Sequence, residues 1–131
     1  MFSRSFPSTT PAHLWILLAI YFIASLVHFT HNAEFVALYP NMPSGLTRET
    51  VYLAWLAVTA VGVAGLVLAR TGLRMLGALG LAVYGLLGLD GLLHYTLALC
   101  SEHSLAMNLT IWWEVVAGVA LATGSLRLLR Q

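Results

Sequence analysis

The chain has 131 residues, of which 60% are hydrophobic and only 8% charged. A water-soluble domain of this length needs far more charge to cover its surface, so the composition points to a membrane protein. A net charge of +1 without a basic cluster gives no case for nucleic-acid binding, and a lone cysteine, Cys100, rules out an internal disulfide and CxxC chemistry.

Four apolar runs follow one another: Ala12 to Ala33, Thr50 to Ala69, Met75 to Leu99 and Met107 to Leu126. Each has about 20 residues or more, the length that crosses roughly 30 Å of hydrocarbon at 1.5 Å per residue. Barrel strands would instead read as about 10 residues of strict alternation. The sequence therefore predicts an all-α integral membrane protein, a single antiparallel four-helix bundle over residues 10–131. Its helices fall near 11–36, 48–70, 73–99 and 105–129, and the Ser/Thr/Pro-rich residues 1–9 are expected to be unstructured. All six basic residues are arginines. Arg4, Arg70, Arg74, Arg127 and Arg130 would lie on one side of the bilayer and only Arg48 on the other. The positive-inside rule then places both termini and the middle turn in the cytoplasm, and the two remaining connections, in a bacterium, in the periplasm. The first run exceeds a signal peptide's apolar region of about 7–15 residues, and it reads as a retained anchor in an inner membrane.

Taken in order, Thr10-Pro11 reads as an N-cap with proline at the first helical position. On a 100° wheel Tyr21, Ser25, His28 and Asn32 share one face of helix 1, with His31 about 60° to the side. Tyr39-Pro40-Asn41-Met42-Pro43-Ser44-Gly45 is a turn segment, either a lid over the outer mouth or a tight connection anchored by Tyr39. Thr47 is expected to cap helix 2, whose face Tyr52, Trp55, Thr59 and Gly62 supplies wall. Thr71-Gly72 is short enough to make helices 2 and 3 antiparallel neighbours. Gly77, Gly80, Gly85, Gly88 and Gly91 give helix 3 a close-packing face, with Asp90 and His94 about 120° away as an i,i+4 pair. Ser104 or Asn108 would cap helix 4, whose stripe Met107, Thr110, Glu114, Gly118 and Ser125 turns inward.

Counting at 1.5 Å per residue puts His28 and Asp90 both roughly 24 Å from the inner surface, with His94 one turn higher and Glu114 about two turns below the outer surface. Ionisable groups at one depth inside a bilayer mark a functional site. Imidazoles with carboxylates suit zinc, copper, iron or manganese, so His28, His31, Asp90, His94 and Glu114 are the expected ligands of a transition-metal ion. Asn32, Tyr21 and Ser25 would support them, and Met42, Cys100 and Met107 would suit a Cu(I) variant. As an enzyme the chain would use the ion, with Glu114 and Asp90 as catalytic groups, to activate water or oxygen on a lipid or other hydrophobic substrate. Four alternatives stay open. Asp90–His94 and His28–Glu114 could be metal-free acid/base pairs for isomerisation or hydrolysis. Haem could lie between His28 and His94. The cluster could serve ion- or proton-coupled transport in a homodimer, or be a polar knot in a subunit of a larger membrane complex. Glu34, Glu102 and His103 read as wet interfacial residues.

Overall fold

The computed structural model describes residues 10–130, and the segment 1–9, expected to be unstructured, lies outside them. Four long helices account for most of the chain: α1 (Ala12–Glu34), α2 (Arg48–Arg70), α3 (Arg74–Leu97) and α4 (Leu105–Arg127), the last extended by a 3-10 turn, Leu128–Arg130. All four are long and apolar enough to cross a membrane. Among the described residues there is no strand.

The helix ends follow local chemistry. α1 starts one residue later than expected, because Pro11 is extended (φ −59°, ψ 144°) and stands outside the helix as its cap. Its missing N–H costs nothing there, and its carbonyl accepts from the Leu14 amide at 3.0 Å. The helix stops at Glu34, two residues short of the expected end, and gives way to a 3-10 turn over Val36–Leu38. Thr47 caps α2 reciprocally: its hydroxyl accepts from the Thr50 amide, and the Thr50 hydroxyl accepts from the Thr47 amide at 2.9 Å. Ser104 is the cap of α4, accepting from the Met107 amide at 3.2 Å. Asn108 instead ties down the preceding connection, donating to the carbonyls of Cys100 (3.0 Å) and His103 (3.3 Å).

The contacts run in antiparallel register around a ring. Between α2 and α3, Gly62 meets Tyr84, Gly65 meets Leu81, and Gly77 meets Ala69. Between α3 and α4, Gly85 meets Gly118 and Leu121; between α1 and α4, Gly124 meets Leu17 and His28 meets Thr110. α1 and α2 pair through Trp55 on Ser25 and Arg48 on Glu34. Across the diagonal α1 and α3 run parallel, with Tyr21 edge-on to Tyr84 and Asn32 beside His94. The glycine face does what its residue type predicts. A Cβ on Gly85 would stand 2.5 Å from the Gly118 carbonyl oxygen, so only glycine lets the two backbones meet. The dry core, including Leu14, Leu18, Leu81 and Leu121, sits toward the end of the bundle that carries the described chain ends.

One element departs from the expected geometry. α3 is α-helical over Arg74–Leu87, changes to 3-10 over Gly88–Leu93, and closes with one α-turn, His94–Leu97. Two glycines, Gly88 and Gly91, lower the cost of leaving α geometry within this stretch. Tyr21 and Glu114 press against the same segment: a Cβ on Gly88 would lie 2.7 Å from the Tyr21 ring and 3.2 Å from the Glu114 carbonyl oxygen.

Candidate functional site

Among the described residues the deepest imidazole and carboxyl are His28 on α1 and Glu114 on α4, 2% and 0% exposed. His28 Nε2 stands 3.6 Å from Glu114 Oε2. The Thr110 hydroxyl donates to the Met107 carbonyl (3.0 Å) and its oxygen lies 3.4 Å from His28 Nδ1. In the tautomer that donates Nδ1–H to Thr110, Nε2 is unprotonated and its lone pair faces the carboxyl group. Neither Glu114 oxygen has a hydrogen-bond partner among the described residues. At 3.6 Å the two groups stand just beyond hydrogen-bond distance, near enough to close on a shared proton or a cation.

The glycines of α3 make room here. A Cβ on Gly91 would come within 3.6 Å of Glu114 Oε2, and one on Gly88 within 3.1 Å of Tyr21 Oη. Tyr21 is fully buried and its hydroxyl likewise lacks a partner among the described residues. Toward the other end of the bundle, the His94 ring lies 5.4 Å from that of His28, and the Asn32 amide nitrogen is 3.4 Å from His94 Nε2. The Tyr39 ring packs 4.8 Å from His94, and its hydroxyl shares a 2.8 Å hydrogen bond with His31 Nδ1. Burial pushes the Tyr39 phenol up to about 12, so it stays a neutral hydroxyl at ordinary pH.

The sequence-predicted set is therefore gathered only in part. His28, His94, Glu114, Asn32 and Tyr21 cluster as expected. Asp90 does not share a face with His94, and the 3-10 segment is the reason. In an α-helix residues four apart stand about 40° apart, whereas at three residues per turn they diverge by about 120°. Asp90 is half-buried within Coulombic reach of Glu114 and Tyr21, with Oδ1 unpartnered among the described residues. His31 is set to the side: it lines a cavity and is linked to His94 through Tyr39. Ser25 belongs to the helix packing, donating to the Phe22 carbonyl and accepting from Trp55 Nε1. The sulfur ligands of a Cu(I) variant do not assemble, since Cys100 is exposed and its thiol donates to Asn108. The His28 and His94 rings meet edge to face, which leaves no gap for a porphyrin. Among the described residues no three His, Cys, Asp or Glu side chains are arranged to hold one metal ion. His28 and Glu114 supply two donors.

Two residues read as peripheral belong to the cluster. Tyr39 is buried against His94 because Asn41, in the left-handed region (φ 56°), pins the turn segment by donating to the Leu97 carbonyl at 2.8 Å. His103 is 6% exposed, with its ring 6.1 Å from His94 and 6.4 Å from Tyr39. Its Nδ1 donates to the Leu99 carbonyl at 2.9 Å, and Nε2 is unpartnered among the described residues. The Tyr-Pro-Asn turn was the visible signal for Tyr39; nothing in the sequence marked His103. Glu34 and Glu102 behave as wet residues: Glu34 pairs with Arg48 (2.8 Å) and Tyr52 (2.7 Å), and Glu102 accepts from the Leu99 amide. No family model matches the chain, and no curated protein or solved structure matches it.

Proposed function

We propose that this chain is an integral membrane protein whose His28–Glu114 pair moves a proton on a hydrophobic molecule. The observation that carries this reading is His28 Nε2 facing an unpartnered, fully buried carboxyl at 3.6 Å. Such a couple suits isomerisation. One member removes a proton from carbon, the other returns one at a second position, and the bonding electrons shift between them with no net oxidation. Shielding from water favours this over hydrolysis, since an enol-like intermediate survives in a dry site. His94, held by Asn32, stands beside His28 to orient it or pass on its proton. The arginine distribution supports cytoplasmic ends in a bacterial inner membrane, so that the site lies in the outer half of the bilayer. A reporter fused at the C-terminus reads that orientation directly.

The test of the reaction needs no known substrate. Purified protein is incubated in D2O with a membrane lipid extract, and mass spectrometry follows deuterium entering carbon-bound positions. Incorporation that requires the protein and disappears in Glu114→Gln supports the reading; equal incorporation by Glu114→Gln overturns it.

A second reading has its own support. Two donors 3.6 Å apart fit one transition-metal ion with bonds of about 2.0–2.1 Å, and Thr110 holds the far nitrogen of His28 as a ligand's supporting partner would. Zinc, copper, iron or manganese would then require His94 or Asp90 to swing in as a third ligand. Elemental analysis of the untagged protein beside His28→Ala/His94→Ala decides between the two.

A further inference from the structure

A cavity of about 370 Å³ opens between the end of α1 and the start of α4, lined by His31, Phe35, Leu38, Glu102, Ser104 and Met107. That volume falls within the range of small-molecule sites, roughly 300–1,000 Å³. Its position relative to the buried pair follows from helix periodicity. His31 is one turn beyond His28 on α1, and Met107 is one turn before Thr110 on α4. His28 and Thr110 touch, so the cavity floor lies directly above their contact, one turn or about 5 Å from His28. Met107 forms that floor, and its unbranched side chain is the kind that moves aside most easily.

The lining has two characters. Phe35, Leu38 and Met107 make an apolar wall, and Phe35 and Leu38 are 45% and 69% exposed at the mouth. Beside Phe35, ring to ring at 4.8 Å, His31 has Nδ1 committed to Tyr39, which leaves Nε2 for a ligand as donor or acceptor according to tautomer, and Ser104 and Glu102 complete the polar side. A hydroxyl can serve either tautomer, because it both donates and accepts. A charged head would pay heavily on passing from this mouth to a site 0–2% exposed, whereas a neutral one would not.

Resting on the acid/base reading above, we infer that this cavity is the docking site of its substrate, an amphipathic lipid with a neutral hydroxyl head. The hydroxyl binds His31 Nε2 while the chain lies along Phe35 and Leu38 toward the bilayer. Displacement of Met107 then brings the carbons next to the hydroxyl toward His28.

The probe is a long-chain alcohol carrying a diazirine, photolysed with the intact protein in lipid nanodiscs, with adduct sites mapped by mass spectrometry. Adducts should concentrate on Phe35, Leu38 and Met107. An excess of unlabelled alcohol should remove them, and an alkane of the same length should not. Leu38→Trp/Met107→Trp fills the cavity and should cut this labelling tenfold or more; His31→Ala, which leaves the cavity open, should cut it at least threefold. Labelling spread over lipid-facing positions such as Leu53 and Leu56, or unchanged in both variants, overturns the inference. Glu114→Gln keeps the cavity and should label as the wild type. Loss of deuterium incorporation there with labelling intact separates the two ideas: the first depends on the buried pair, the second on the cavity.

Discussion

Glu114→Leu should stabilise the fold while abolishing proton transfer, and the size of the gain can be worked from the site. Glu114 is 0% exposed and neither of its oxygens has a partner among the described residues. A buried polar group without a hydrogen bond costs about 1–3 kcal/mol, and replacing such a group by an apolar one of similar volume is neutral to stabilising. Against this, His28 Nε2 loses the carboxyl that faces it, at about 1 kcal/mol, while Nδ1 keeps Thr110. The balance is a gain of about 0–2 kcal/mol. Unfolding by SDS in mixed micelles, followed by fluorescence of the four tryptophans, measures it. Glu114→Gln, which keeps the shape, serves as the control for packing. A loss of more than about 1 kcal/mol in Glu114→Leu would refute the reasoning. It would mean that the native carboxylate has a bound partner, and the metal reading would then lead.

Two further outcomes test the packing and the turn. Gly118→Ala would drive a Cβ into the Gly85 carbonyl oxygen and to 3.2 Å from the Tyr21 ring. Overpacking of about 1–3 kcal/mol should outweigh the roughly 1 kcal/mol by which alanine favours a helix, so the same SDS titration should show net destabilisation. Gly45→Ala, with nothing within 4 Å of the added atom, should show none, and equal behaviour of the two would refute the tight α3–α4 contact. Tyr39→Phe tests the buried phenol through pH. Its folded value of about 12 lies above the ordinary 10.0, so the folded state holds the proton longer than the unfolded one. The resulting stability, about 2–3 kcal/mol, is fully present below pH 10 and is lost as pH rises to about 12. Stability measured across that window should therefore fall more steeply in the wild type than in Tyr39→Phe; parallel curves would place the phenol in water.

Much of this arrangement was legible from composition and spacing. Four apolar runs of spanning length gave the helices, and the glycine spacing of α3 gave its close face, because backbone contact demands that residue type. The meeting of His28 with Glu114 followed from counting depth along rigid helices of known rise. Counting failed where the rise and twist change. Asp90 was placed beside His94 by α-helical periodicity, and the 3-10 turn over Gly88–Leu93 rotates it away. Tyr39 and His103 escaped for a different reason: they sit on connections, whose paths depend on long-range contacts such as Asn41 to the Leu97 carbonyl. No periodicity governs those.

The division of the bundle along its axis has a consequence of its own. At the end that carries the described chain ends, helices are clamped by glycine backbone contacts and a leucine core; at the other, imidazoles, an amide and a phenol stand beside a smaller apolar cluster of Phe29, Ala33 and Val51. Local opening is easiest where apolar contacts are few. Amide exchange should therefore spread from the histidine-bearing end, and the clamped end should hold its protons until the whole chain unfolds. A deep substitution scan should read as a gradient along the bundle axis, with positions that set abundance at one end and, on the function proposed above, positions that set activity at the other.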